Sequence, residues 1–326
     1  MAQRGENLFR HAVPAFEKER IILMYDVLIV GGGPAGLTAA LYCARAEKKV
    51  LVCEREVLGG QIVYSPMVDN YPALPHVSGA DFAFQLSQQV EELGVTIEYA
   101  AVEAVERKDA GFTIKTDAGE FEGKALILAT GARHRKLGLP NEDALVGCGV
   151  SYCAVCDGAF FRNREVAVAG GGNTAVRDAL FLAGICKKVW LIHRREGFRA
   201  EAALVEQLRK KENIELCLNA VVSGLNEENG GLSAVTLSYK DGRTQSLDVP
   251  GIFVAIGQQS DNGPFAGLTH LDGDGYLQAG EDAITSCPGV FAAGDCRVKS
   301  VRQLTTAVGD GAVAALAACD YLDEQG

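Results

Sequence analysis

The chain is 326 residues long, enough for about two domains with a core each. Apolar residues make up 48% and charged residues 22%, a globular balance that excludes a disordered chain, and no apolar run nears the roughly 20 residues that span a bilayer. The formal charge of −11, from 42 acidic and 31 basic side chains, argues against nucleic acid as a partner.

Residues 1–23 mix acidic and basic side chains without a long apolar segment, so they read as an N-terminal extension and not as a secretory signal. From Tyr25, Tyr-Asp-Val-Leu-Ile-Val predicts a strand, Gly31-Gly32-Gly33-Pro34-Ala35-Gly36 a tight turn, and an alanine-rich stretch to about Lys48 a helix. Val50, Leu51 and Val52 predict the next strand, ending at Cys53 and Glu54. Gly31, Gly33 and Gly36 fit G-x-G-x-x-G: the first permits the turn, the second lets backbone approach a pyrophosphate, the third allows close helix packing. Unpaired N–H groups at the helix start favour the anion, and Glu54, 18 residues after Gly36, is placed to accept hydrogen bonds from a ribose. Met67 and the stretch from Phe82 to Phe84 read as core packing.

Ala125 to Thr130 runs into Gly131, and Gly251 to Ile256 into Gly257. Both are expected to be crossover points between domains, with connections near Arg133 to Lys136 and Gln258 to Gly263. Between them lies Cys153-Ala154-Val155-Cys156-Asp157. Two cysteines at this spacing can close a small, easily reduced disulfide, and the adjacent carboxylate can move protons as thiols form. The spacing alone also fits half a zinc site, with Cys148 as a third sulfur. No second C-x-x-C or histidine pair accompanies it, so no metal is expected. The other eight of the ten cysteines read as reduced thiols in a cytoplasmic protein.

Glu165 to Ala169 predicts a strand, Gly170-Gly171-Gly172-Asn173-Thr174-Ala175 a second nucleotide turn ending in alanine, then a helix to about Ala183 and a strand from Val189 to Ile192. Two such units suggest two dinucleotides on two similar domains. Where an NAD site would carry an acid, this chain has His193-Arg194-Arg195 with Arg199 beyond; guanidinium groups there suit a ribose 2′-phosphate, hence NADPH, the alternative being a solvated basic loop. Val290 to Ala293 leads into Gly294-Asp295, and a small-residue helix follows from about Gln303 to Tyr321. The aspartate is placed to hydrogen-bond a flavin's ribityl chain, with Arg302 and Gln303 reaching the ring edge, although Gly-Asp is also an ordinary turn.

From about Tyr25 to Tyr321 the sequence resembles the low-molecular-weight thioredoxin reductases of the pyridine nucleotide disulfide oxidoreductase family. The likeness is carried by Gly149-Val150-Ser151-Tyr152-Cys153-Ala154-Val155-Cys156-Asp157-Gly158, by His193-Arg194-Arg195 with Phe198-Arg199-Ala200, and by Gly294-Asp295 with Arg302-Gln303. It implies an α/β fold of two Rossmann-like three-layer domains, with an NADPH domain (135–257) carrying the dithiol and inserted into an FAD domain (24–134 and 258–326). The FAD site implied comprises Gly31, Gly33, Pro34, Ala35, Gly36, Glu54, Gly60, Gln61, Asn70, Thr130, Gly131, Gly294, Asp295, Arg302 and Gln303. The NADPH site comprises Gly170, Gly172, Asn173, Thr174, Ala175, His193, Arg194, Arg195, Arg199, Ile256 and Gly257.

The resemblance further implies a homodimer, thioredoxin or a thioredoxin-like protein as disulfide substrate, and rotation of one domain against the other during turnover. Cys156 would face the flavin, Cys153 attack the partner's disulfide, and Asp157 serve as proton donor and acceptor. Cys148, Arg177, Val301 and Ser260-Asp261-Asn262 depart from the family pattern. Two other readings stay open: a ferredoxin-linked or small-molecule dithiol oxidoreductase on the same scaffold, disfavoured by the three arginines, and a non-enzymatic flavin redox sensor.

Overall fold

The computed structural model describes residues 24–325, so the extension 1–23 set apart by the sequence lies outside the described residues. In chain order the regular elements are β1 (Met24–Val30), α1 (Pro34–Arg45), β2 (Val50–Glu54), α2 (Gly79–Glu92), β3 (Thr96–Tyr99), β4 (Val102–Lys108), β5 (Gly111–Thr116), β6 (Gly119–Leu128) and β7 (Ala132–His134). There follow β8 (Val150–Ser151), α3 (Ala154–Asp157), β9 (Glu165–Ala169), α4 (Asn173–Ala183), β10 (Lys188–His193), α5 (Ala202–Arg209), β11 (Ile214–Leu218), β12 (Ala220–Glu228), β13 (Gly231–Tyr239) and β14 (Thr244–Leu247). The chain ends with β15 (Ile252–Val254), β16 (Gln258–Ser260), β17 (Val290–Ala292) and α6 (Leu304–Gln325).

The first sheet runs β3-β2-β1-β6-β5-β4. Its β1, β2, β3 and β6 pairings are parallel, while β4, β5 and the start of β6 form an antiparallel meander. β6 changes neighbour along its length: Gly119–Gly123 pairs with β5, and Leu126–Leu128 pairs in parallel with β17 from the far end of the chain. Strand alternation splits the core. Val27 and Ile29 face α1, α2 and α6, and Leu28 and Val30 face the meander side with Phe112, Ile114 and Phe265.

The second sheet, β11-β10-β9-β15-β8, is parallel throughout. It repeats the layering, with Val166 and Val168 against α4 and α5 and Ala167 and Ala169 against the antiparallel sheet β12-β13-β14. Each parallel sheet is thus covered by helices on one face and an antiparallel sheet on the other. This is the doubled three-layer α/β architecture that the resemblance implies, and the repeated turns open the two similar units. The two chain crossings between the sheets pair with each other, β7 against β16 as an antiparallel ribbon, at the two connections expected from the sequence.

Two core expectations fail. Phe82 is buried, but Phe84 is 61% and Met67 38% exposed. Phe84 lies two positions from Phe82 on α2, which turns it about 200° to the opposite face of the helix, and Met67 sits in irregular chain past the end of the short 3-10 turn Gly60–Tyr64. Gly36, by contrast, behaves as the fingerprint requires. A Cβ there would lie 1.9 Å from the carbonyl oxygen of Gly31 and 3.3 Å from Cγ2 of Ile29, whereas one at Gly33 would meet nothing within 4 Å. Gly36→Ala is expected to cost about 3 kcal/mol by forcing α1 off β1, read as a lowered thermal midpoint that Gly33→Ala does not share.

Candidate active site

At the first turn Gly31 adopts φ +107°, and a Cβ there would strike the carbonyl oxygen of Ala129 at 2.3 Å. Gly33 caps α1 with no side-chain partner and Pro34 follows at the first helical position, so the first N–H groups of the helix are left for an anion. Ala35 and Gly36 continue the helix inside the core. Glu54 is buried at the end of β2, its Oε2 accepting the Gly32 N–H at 2.7 Å and its Oε1 that of Glu56 at 2.8 Å. Each oxygen keeps a second lone pair for a hydroxyl donor. Gly60 packs beside the turn, a Cβ on it being 3.5 Å from Cα of Gly33, and Gln61 is exposed next to it.

The opposite wall comes from Thr130, Gly131 and the Gly294–Asp295 corner. Thr130 donates its hydroxyl to Asn262 Oδ1 at 2.7 Å, and Asn262, buried, donates in turn to the carbonyls of Gly275 at 3.0 Å and Cys296 at 2.9 Å. Gly131 has φ +70° and open space on its Cβ side. Asp295 holds a buried Oδ1 with no hydrogen-bond partner. Burial pushes its carboxyl up to about 6, with Lys299 and Arg302 pulling down and Asp310 pushing up. A buried, unpaired carboxylate oxygen is what a hydroxyl-bearing ligand satisfies, so these residues fit the ribityl and pyrophosphate groups of a flavin dinucleotide.

The sequence sends Arg302 and Gln303 together to the edge of a ring, and the structure separates them. The Arg302 guanidinium lies 4.2 Å over the ring of Tyr276 and donates to the carbonyls of Asp295, Arg297 and Lys299; it braces its own loop because those carbonyls are the nearest acceptors. Gln303 turns the other way. Its Oε1 accepts from Asn70 Nδ2 at 3.2 Å, and its Nε2 stands 3.9 Å from Sγ of Cys153.

Cys153 and Cys156 are joined as a disulfide with Cα atoms 5.3 Å apart. Cys153 caps α3: its Sγ accepts the N–H of Cys156 at 3.2 Å. Ser151, to which no sequence motif gives a role, ties the motif together by donating its hydroxyl to Asp157 Oδ2 at 2.6 Å and accepting the N–H of Cys153 at 3.1 Å. Burial raises the Asp157 carboxyl above its ordinary range and the Ser151 bond only partly offsets this, so Asp157 keeps a proton to higher pH than an exposed carboxylate. Behind it, buried Glu142 accepts the N–H groups of Leu137 and Gly138, each at 2.9 Å, and the Tyr152 hydroxyl at 2.8 Å. Tyr152 stacks on His134 of the crossing ribbon. The dithiol is thereby tied to the strand that joins the two sheets.

At the second turn a Cβ on Gly170 would meet the carbonyl oxygen of Ala255 at 2.3 Å, and Gly172 is open. Ala175 is buried on α4 and Thr174 exposed at its start. Asn173 and Glu201 are paired, Asn173 Nδ2 donating to Oε1 at 2.7 Å and Asn173 Oδ1 accepting the Glu201 N–H at 2.8 Å. The four-residue basic cluster divides. Arg194, Arg195 and Arg199 are exposed, while His193 is buried, stacked on Phe198, with its ring where a Gly171 side chain would be. Burial, above all, lowers the His193 pKa, which keeps the ring neutral beneath the turn. Ile256 is half-buried at the end of the sheet, and Gly257, φ +115°, accepts the Arg135 N–H at 3.0 Å. Of the departures from the family pattern, Cys148 is an exposed free thiol, Val301 is exposed, and Arg177 stands 4.0 Å from Glu201.

A family model described as pyridine nucleotide-disulphide oxidoreductase matches residues 25–311. The chain belongs to this family. Its members among curated relatives include a thioredoxin reductase of Listeria innocua, 40% identical over 302 residues that cover 92% of this chain and 95% of the relative. Among solved structures, the thioredoxin reductase of Streptococcus pyogenes is 38% identical, with a TM-score of 0.89 over 92% of this chain and 99% of that one. The Lactococcus lactis thioredoxin reductase in its FR conformation is 40% identical over the same shares and superposes with a TM-score of only 0.64. Among the described residues no helix is long and apolar enough to cross a membrane.

Proposed function

We infer that the chain is an NADPH-dependent thioredoxin-disulfide reductase, an FAD flavoprotein that passes reducing equivalents to thioredoxin or a thioredoxin-like protein. The observation that carries the reading is the Cys153–Cys156 disulfide, held on the second unit with Gln303 of the first 3.9 Å from Cys153 Sγ. Residues 24–134 and 258–326 form the FAD unit and 135–257 the NADPH unit. Gly31, Gly33, Pro34, Ala35 and Gly36 receive the pyrophosphate of FAD, Glu54 its ribose, and Asp295, with Thr130 and Gly131, its flavin half; Gly60, Gln61 and Asn70 close the near side. Gly170, Gly172, Asn173, Thr174 and Ala175 cradle NADPH, with Ile256 and Gly257 beside it. Arg194, Arg195 and Arg199 read its 2′-phosphate, and His193 supports the turn from below.

FAD, when bound, supplies the two-electron relay between NADPH and the disulfide. Two electrons delivered to the Cys153–Cys156 bond cleave it, and Asp157 gives a proton to a nascent thiolate. Cys153 then attacks one sulfur of the substrate disulfide, expelling the other as a thiolate. Cys156 attacks the mixed disulfide, releases the substrate dithiol and restores the internal bond. Because NADPH and the dithiol share one unit, both reach the flavin only if that unit turns on the β7/β16 ribbon. In support, two relatives of nearly equal identity superpose at 0.89 and 0.64, a gap that sequence divergence does not explain.

The homodimer and the cytoplasmic location belong to the same reading, the latter supported by eight further cysteines that are all free. The ferredoxin-linked and sensor readings are not favoured. NADPH consumption that depends on an added oxidised thioredoxin tests the assignment, and equal consumption without it overturns it.

A pH dependence follows from Asp295. Free of ligand its carboxyl titrates at about 6, and a hydroxyl donating to it favours the carboxylate and lowers that value. The contribution to FAD affinity is therefore complete above about pH 6 and is lost as pH falls below it. FAD release, followed by flavin fluorescence, is expected to quicken between about pH 7 and pH 5, and Asp295→Asn to remove that dependence.

A further inference from the structure

Asp310 lies on α6, outside every motif of the sequence. Its side chain is 10% exposed and collects four hydrogen bonds. Oδ2 accepts the backbone N–H of Gly294 at 2.9 Å, Arg297 Nε at 2.8 Å and Lys299 Nζ at 2.8 Å, and Oδ1 accepts Arg297 Nη2 at 2.9 Å. Arg297 and Lys299 are themselves 3% and 6% exposed. The two cations hold Asp310 ionised despite its burial, which alone would raise its pKa. One carboxylate thus fixes both sides of the Gly294–Asp295 corner: the amide of Gly294 before it and the guanidinium of Arg297 after it.

That corner cannot hold itself. Gly294 sits at φ +79°, and a Cβ on it would meet Cβ of Ala35 at 2.8 Å, so the backbone passes against the first turn of α1 in a conformation few residues adopt. A buried ion cluster is a poor source of net stability, because desolvating three charges costs about what their attraction returns. Its expected return is geometric: a unique orientation of the segment it binds. The only group on that segment left with a buried atom unsatisfied is Asp295.

We propose that Asp310, with Arg297 and Lys299, is a positioning cluster that presets Asp295 for FAD. The idea rests on Asp295 meeting the flavin dinucleotide, as in the function above, and adds the residues that aim it. Asp310 touches no ligand and acts through Asp295.

The test is a double-substitution cycle on the full-length holoenzyme, reading the rate of FAD release by flavin fluorescence. Asp310→Asn keeps the size of the side chain and loses the charge that binds Arg297 and Lys299. Arg297→Lys keeps the charge balance and loses the two-point lock, which guards against a variant that fails to fold. Each is expected to speed FAD release about tenfold in the native background, the scale of a charge-assisted hydrogen bond, and less than about twofold in the Asp295→Asn background, because the residue through which they act is already disabled. The acceleration of FAD release below about pH 6 should also flatten in both. Equal effects in both backgrounds would show a general structural role and overturn the proposal, as would unchanged release in folded Asp310→Asn and Arg297→Lys. Unchanged release in Asp295→Asn alone would instead remove the flavin contact on which both readings stand.

Discussion

Cys153→Ser is expected to stop reduction of the thioredoxin-like substrate by at least about a thousandfold, the usual scale for deleting a nucleophile, while NADPH still bleaches the bound flavin at its native rate. The separation follows from geometry. Serine cannot form or open the disulfide, whereas the proposed NADPH cradle is a separate turn at residues 170–175, and Cys153 Sγ stands 3.9 Å from Gln303 Nε2 of the proposed flavin unit. Cys156→Ser should behave differently. It leaves Cys153 able to attack a protein disulfide but unable to be released from it, so a mixed disulfide accumulates and is visible by intact mass. Turnover persisting in Cys153→Ser, or trapping by Cys156 in place of Cys153, would reverse the thiol roles. Stopped-flow absorbance and mass spectrometry on the two variants decide between them.

The fold was legible because both nucleotide units announce themselves locally. A β-branched run, a glycine turn and an alanine-rich helix occur twice, and the predicted ends of α4 near Ala183 and of β2 at Glu54 agree with the structure, while α4 begins at Asn173, inside the predicted turn. The segments near Arg133 to Lys136 and Gln258 to Gly263 overlap strands β7 and β16, whose mutual pairing no local pattern encodes. What stayed hidden depends on partners far apart in sequence. Asp310 finds Arg297 through the packing of α6 beneath a loop, and Glu142 gathers Tyr152 and two amides across a bend. A lone acid in a helix reads as a solvated face until the fold buries it. The direction of Arg302 was not legible, since a guanidinium seven residues past the Gly294–Asp295 corner takes whichever carbonyls the loop presents. Phe84 is exposed where Phe82 is buried, a difference of helical phase that apolar character alone does not carry.

The cofactor preference gives the second large effect. Replacing Arg194 and Arg195 together by alanine is expected to lower kcat/KM for NADPH by about a hundredfold while leaving that for NADH within about twofold. Both guanidinium groups are exposed just past β10, open to the 2′-phosphate that the proposed function assigns to them. Each charge-assisted contact at a phosphate is worth about tenfold, less than a buried pair because solvent screens it. The loss should fall on KM and should shrink as salt rises, since it is attraction to a dianion and not chemistry at the nicotinamide that is removed. His193 supplies the control. Its ring is buried under Gly171 and stacked on Phe198, so His193→Ala should lower both NADPH and NADH rates together by loosening the turn. Equal losses with both cofactors in the arginine variant would mean that the basic loop is only a solvated face and that the 2′-phosphate is read elsewhere.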